Sequence, residues 1–136
     1  MVSVIILAGG IGKRFGNEIP KQFITVAGKR LIDYSIQTFI QEKKINEVIL
    51  VVHSDWINVL KKEYPKLKIV VGGDSRKESS YFGLKACNEN TQKVLIHDGA
   101  RPFVSSKIIN DCILELENNS AVSTAIPIVD TVVEVD

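Results

Sequence analysis

Between residues 4 and 23 an apolar run, Val4-Ile5-Ile6-Leu7, leads directly into a glycine-rich stretch followed by two separated cations, Arg14 and Lys21. The glycines are Gly9, Gly10, Gly12 and Gly16, and Lys21 sits in the tetrapeptide Pro20-Lys21-Gln22-Phe23. Glycine admits positive φ and lets backbone N–H groups approach an anion closely. Arg14 and Lys21 would add full charge along a polyphosphate. The pattern predicts a loop for a nucleoside triphosphate. The plainer reading is a strand-to-helix turn with solvated basic residues.

Two familiar phosphate loops are excluded by residues their chemistry requires. A Walker A loop needs G-x-x-x-x-G-K-[ST], but Arg14 follows Gly12-Lys13 and Leu7 stands where the first glycine belongs. A dinucleotide fingerprint needs G-x-G-x-x-G and an acid closing the second strand. Phe15 occupies the third glycine position, and the second strand runs out through Val51-Val52-His53. What remains, G-G-x-G-x-R followed by Pro-Lys, is similar to the loop of nucleotidyltransferases that activate sugar phosphates.

Two further polar clusters accompany the loop. Gly72-Gly73-Asp74-Ser75 leads into Arg76-Lys77-Glu78-Ser79. Paired glycines allow a flat base to come close, and Asp74 and Ser79 offer hydrogen bonds to its edge. Alternatively, Asp74 or Ser75 only caps the following helix. In His97-Asp98-Gly99-Ala100-Arg101-Pro102-Phe103, an acid ends an apolar strand. Asp98 beside a polyphosphate suits Mg²⁺, a hard cation taking oxygen ligands, while an Asp98–Arg101 ion pair is the structural alternative. His97 and His53 are assigned no chemistry.

These clusters need a frame that brings them together. The apolar run at 2–8 reads as a strand covered on both faces, 47–53 as a second buried strand, and 67–71 and 93–97 as further strands. Further strands are expected at 121–126 and 131–135. Helical patterns fill 31–40, 56–64, 77–88 and 105–117, with Ser105 as a cap and Pro65 as a stop. In the last of these, Cys112 shares a face with Ile108, Ile109, Ile113 and Leu116, predicting a buried structural thiol. Repeated β-α-β units imply one α/β domain, a mainly parallel sheet with helices on both faces. Ligands of such sheets bind outside the carboxyl ends of the strands, the edge where all three polar clusters fall.

Composition narrows the partners. Seventeen basic and sixteen acidic residues leave a net charge of +1, so no long-range field serves nucleic acid or an anionic membrane. Two cysteines without metal-ligand spacing give neither a disulfide framework nor a zinc site. The first apolar run is too short to span a bilayer and no cationic leader precedes it, so a cytoplasmic location is expected. The chain ends at Asp136 directly after a strand-like run, which reads as truncation.

Together the segments resemble the 2-C-methyl-D-erythritol 4-phosphate cytidylyltransferase family and its sister, the ribitol 5-phosphate cytidylyltransferases. The resemblance rests on Ala8-Gly9-Gly10-x-Gly12-x-Arg14, Pro20-Lys21-Gln22-Phe23, Gly72-Gly73-x-x-Arg76-x-x-Ser79, Gly83-Leu84, the 97–103 heptapeptide and Asp130-Thr131. It implies a Rossmann-like three-layer α/β/α nucleotidyltransferase fold over residues 1–136. Ala8, Gly9, Gly10, Gly12, Gly73, Asp74 and Ser79 match positions holding CTP, Arg14 and Lys21 the catalytic cations, and Asp98 the Mg²⁺-linked acid. Arg101 and Thr131 match positions contacting the acceptor polyol phosphate. In the family Thr131 reaches the neighbouring subunit's site, implying a homodimer. Leu7-Ala8-Gly9-Gly10 is closer to the ribitol type, whereas Ser79, Gly83-Leu84 and the 97–101 run are closer to the methylerythritol type. The family's C-terminal portion, with a dimer arm, a second metal-linked aspartate and a lysine near the acceptor phosphate, is absent from these residues.

The implied reaction is attack of the acceptor's phosphate oxygen on the α-phosphorus of CTP, with pyrophosphate leaving. A phosphate monoester needs no general base, so catalysis reduces to positioning and charge neutralisation. Competing readings are transfer of another nucleotide, such as a guanylyl or uridylyl group, and a nucleotide-binding module without turnover.

Overall fold

The computed structural model describes residues 1–10 and 19–127. Gly12, Arg14, Asp130 and Thr131, and the strand expected at 131–135, lie outside the described residues. Among the described residues four parallel strands form the sheet: β1 (Val2–Ala8), β4 (Glu47–Val52), β5 (Lys68–Val71) and β6 (Lys93–Asp98), in the spatial order β5-β4-β1-β6. Between β1 and β4 lie a 3₁₀ turn (Lys21–Phe23), the short antiparallel pair β2 (Thr25–Val26) and β3 (Lys29–Arg30), and α1 (Leu31–Gln41). The remaining helices are α2 (Ser54–Glu63), α3 (Arg76–Ala86) and α4 (Ser106–Glu115).

The central strands are apolar along their length because both faces are covered. Val4, Ile6, Val48, Leu50 and Val52 pack with Ile32, Ile36 and Phe39 of α1, Leu60 of α2, and Ile109 and Ile113 of α4. Ile5, Ile49 and Val51 face the other way, with Leu7, Val70 and Val94, towards the side occupied by α3. The expected three layers and mainly parallel sheet are thus present. Gly83 explains how closely α3 lies on the sheet: a Cβ there would stand 2.5 Å from Ile5 Cγ2 and 3.1 Å from Val51 Cγ2.

Two expectations are corrected. Residues 121–126 form no strand; they are irregular and exposed, because an alternating apolar pattern makes a strand only where a neighbour offers a ladder. Cys112 is half-buried rather than buried, because its side of α4, with Ile108 and Leu116, borders an open hollow of ≈ 810 Å³. The β2–β3 pair was not expected. Its turn is made by Ala27 (φ 50°) and Gly28 (φ 81°), and it feeds directly into α1. There Arg30 pairs with Asp33 and Glu63, and Tyr64 Oη donates to Asp33 Oδ1 at 2.8 Å, tying this entry to the end of α2. Among the described residues no helix is long and apolar enough to cross a membrane.

Candidate active site

Strand order locates the site. The chain places β4 and then β5 on one side of β1, and returns on the other side as β6. The gap between β1 and β6 is therefore the topological switch point, where open α/β sheets bind ligands. Register puts Asp98 beside Leu7, so the carboxylate stands next to the entrance of the glycine loop. Beyond the strands, Gly99 N–H donates to Leu7 O at 2.8 Å and holds this junction closed.

A cleft of ≈ 580 Å³ opens there, lined by Ala8, Gly9, Gly10, Gly73, Asp74, Ser79 and Asp98, together with Gln22 and Arg76. Seven expected site residues thus converge on one hollow. Lys21 is exposed on the 3₁₀ turn, one residue before Gln22. Arg101 borders the ≈ 810 Å³ hollow, and Arg76 and Asp98 are shared by the two spaces as their common wall.

The floor of the cleft is built by Ser79. Its hydroxyl is buried, accepts from Gly73 N–H at 3.2 Å and donates weakly to Gly73 O at 3.4 Å. A Cβ on Gly72 would stand 2.8 Å from that oxygen, and one on Gly73 would stand 2.4 Å from Glu78 Cβ. Only paired glycines let the loop lie this close to the first turn of α3. Ser75, not Asp74, caps the helix: its Oγ accepts from Glu78 N–H at 3.1 Å, and Glu78 accepts in return from Ser75 N–H at 3.1 Å. Asp74 is left exposed at the cleft wall. Ser79, expected to face a ligand edge, has its hydroxyl engaged in holding the loop.

At the common wall, Asp98 is paired on both sides. Its Oδ1 lies 3.2 Å from Arg76 Nη2, and its Oδ2 lies 3.2 Å from Arg101 Nε. The structural ion pair weighed above is present, and a second arginine joins it from a residue 22 positions away. His97 supports this corner from below. Its Nε2–H donates to Arg101 O at 3.0 Å, Ser35 Oγ donates to the same carbonyl at 3.1 Å, and Phe39 meets the imidazole edge-on. Burial holds the His97 pKa below its ordinary value, so the ring is a neutral donor at this corner.

A divalent cation fits this wall in one way. Among the described residues no group of three or more His, Cys, Asp or Glu side chains could cage a metal. One carboxylate on the wall of a cleft is nevertheless the donor set Mg²⁺ commonly uses where a polyphosphate is bound, with phosphate oxygens and waters completing its shell. Such a cation would compete with Arg76 and Arg101 for Asp98.

The residue missed by sequence reasoning is Gln22. It is buried, and its Nε2 donates to Ala8 O at 2.7 Å and to Gly10 O at 2.8 Å. Its only sequence signal was its place between Lys21 and Phe23.

Residues 2–136 match the model of the family described as IspD, 2-C-methyl-D-erythritol 4-phosphate cytidylyltransferase. The chain belongs to that family. The 2-C-methyl-D-erythritol 4-phosphate cytidylyltransferase of Clostridioides difficile (strain 630) is 38% identical over 138 residues, covering 97% of this chain and 58% of that protein. A Haemophilus influenzae protein, bifunctional ribulose 5-phosphate reductase/CDP-ribitol pyrophosphorylase Bcs1, is 39% identical over 141 residues, covering 97% of this chain and 30% of its own length. The crystal structure of 4-diphosphocytidyl-2C-methyl-D-erythritol synthase from Anaerococcus prevotii DSM 20548 superimposes with a TM-score of 0.87 at 34% identity, over 99% of this chain and 59% of that one. This IspD-family chain therefore spans somewhat over half the length of the cytidylyltransferases it matches.

Proposed function

We propose that the chain carries the CTP-binding part of a cytidylyltransferase that moves CMP from CTP·Mg²⁺ onto 2-C-methyl-D-erythritol 4-phosphate, releasing pyrophosphate. The observation behind this reading is the pair of hollows meeting at Arg76 and Asp98. The nucleotide occupies the ≈ 580 Å³ cleft, with its base against Gly73, Asp74 and Ser79 and its phosphates on the Gly9-Gly10 backbone. The acceptor approaches from the side of Arg101. Lys21 and Arg14 supply positive charge to the α-phosphoryl group and the departing pyrophosphate, where charge grows in the transition state. Bound Mg²⁺ adds to that neutralisation. Gly12 joins the phosphate loop, and Thr131 completes the acceptor site across a homodimer. The enzyme works in the cytoplasm, without nucleic acid or membrane.

A second acceptor, ribitol 5-phosphate, is favoured by one observation: the 39% identity to the Haemophilus protein whose name includes CDP-ribitol pyrophosphorylase. Pyrophosphate release by the complete protein, with CTP and each acceptor in turn, separates the two. Turnover with 2-C-methyl-D-erythritol 4-phosphate supports the reading, and turnover only with ribitol 5-phosphate replaces it. CTP bound without turnover on either acceptor leaves a nucleotide-binding module. Lys21→Ala should lower turnover by ~10²–10³ while CTP affinity changes little; equal rates would reduce Lys21 to a surface cation.

A further inference from the structure

The 3₁₀ turn Lys21–Phe23 is fastened on two sides. Phe23 is buried and stacks on Trp56 of α2, with ring centroids 3.8 Å apart and planes 12° from parallel. Gln22 reaches the other way, to the carbonyls on either side of Gly9. A trans peptide opposes its C=O and its N–H, so anchoring Ala8 O fixes the direction in which Gly9 N–H is aimed. Releasing these carbonyls would let them turn towards a bound anion, replacing an attractive dipole by a repulsive one. A buried side-chain amide can satisfy two acceptors at once through its two N–H groups, which no carboxylate or thioether can do. Lys21 precedes Gln22 directly, so the same fastening sets its position relative to the loop.

We infer that Gln22 is a positioning residue for nucleotide binding and transfer, holding the Gly9-Gly10 backbone and Lys21 as one body braced on Trp56. This rests on the reading of the cleft as a CTP site. The test compares the complete protein with Gln22→Met, which keeps the length but donates nothing, and with Gln22→Glu. CTP·Mg²⁺ affinity is measured by calorimetry well below each melting temperature, alongside kcat and acceptor KM. Gln22→Met should weaken CTP by about tenfold at every pH and lower kcat, leaving acceptor KM unchanged. Gln22→Glu should be at least as weak at pH 8, where a carboxylate faces two carbonyls. Its deficit relative to the parent should narrow towards pH 5.5, where the protonated acid regains one donor. In the unmutated protein the Gln22 side-chain amide resonances should shift when CTP saturates the site. A parent that binds no CTP overturns the nucleotide reading itself. A parent that binds CTP without that amide shift, or variants matching it in affinity and kcat, overturns the role of Gln22 alone.

Discussion

Asp98→Asn separates the catalytic reading of the cleft wall from the structural one. In the folded chain the Asp98 side chain is one-third exposed, and its partners Arg76 and Arg101 are 67% and 76% exposed. Ion pairs this wet contribute about 0.2–1 kcal/mol each, and asparagine keeps the shape and one acceptor. The substitution should therefore cost roughly 1 kcal/mol, a fall in melting temperature of about 4 °C for a domain of this size. Its effect on a cation is larger. A unit charge about 4 Å away contributes roughly 1 kcal/mol in bulk water and roughly 4 kcal/mol near a protein surface. The Mg²⁺ concentration giving half-maximal pyrophosphate release should rise about tenfold or more. The variant also frees two arginines, so CTP binding without metal should be unchanged or tighter. Calorimetry with and without Mg²⁺, a metal titration of turnover, and a thermal melt read all three quantities. A melting temperature lowered by more than ~10 °C with an unchanged metal midpoint would refute the argument and make Asp98 a structural partner of its arginines.

Gly83→Ala should destabilise the chain: crowding Ile5 and Val51 costs about 1–3 kcal/mol, and alanine's helix propensity returns only about 1 kcal/mol. A thermal melt at or above the parent's would show that α3 can withdraw freely. Ser79→Ala removes the acceptor of Gly73 N–H and should weaken CTP binding by about 0.5–1.5 kcal/mol; calorimetry that finds no change, with CTP no better than UTP, would confine Ser79 to the fold. Because burial lowers the folded-state pKa of His97, the unfolded chain takes up that proton first. Its contribution is intact above about pH 6.5 and is lost as pH falls from there through the lower folded-state value. Urea melts between pH 7 and 5.5 should show the decline, and His97→Gln should flatten it.

The central strands β1 and β4 were readable because parallel strands buried on both faces are written as unbroken apolar runs, and the edge strands β5 and β6 because their shorter apolar runs alternate with helical patterns. Ser105 was readable as a cap because capping is local. The β2–β3 pair was not, since its strands are two residues each and Ala27 is an unusual residue for a positive φ. The run at 121–126 misled in the opposite sense: its pattern is local, but a strand is a property of two segments. Within the site, the glycine loops and Asp98 announced themselves by residue type. Gln22 did not, because only the closure of the 3₁₀ turn against β1 makes its amide a buried double donor. The pairing of Arg76 with Asp98 likewise depends on α3 and β6 meeting across the cleft, which no spacing encodes.

The pairing of Leu7 with Asp98 has a consequence in time. The glycine loop leaves the ribosome first, but the strand that delivers its carboxylate neighbour follows about ninety residues later. At 5–20 residues per second that interval lasts several seconds, during which the edge of β1 that β6 will cover has no partner. The proposed nucleotide cleft therefore cannot form before β6 is made, and it draws on every strand of the described sheet. Nucleotide binding then reports on every strand at once: at a CTP concentration of 100 Kd, occupancy would add about 2.7 kcal/mol to the stability of the entire β5-β4-β1-β6 array.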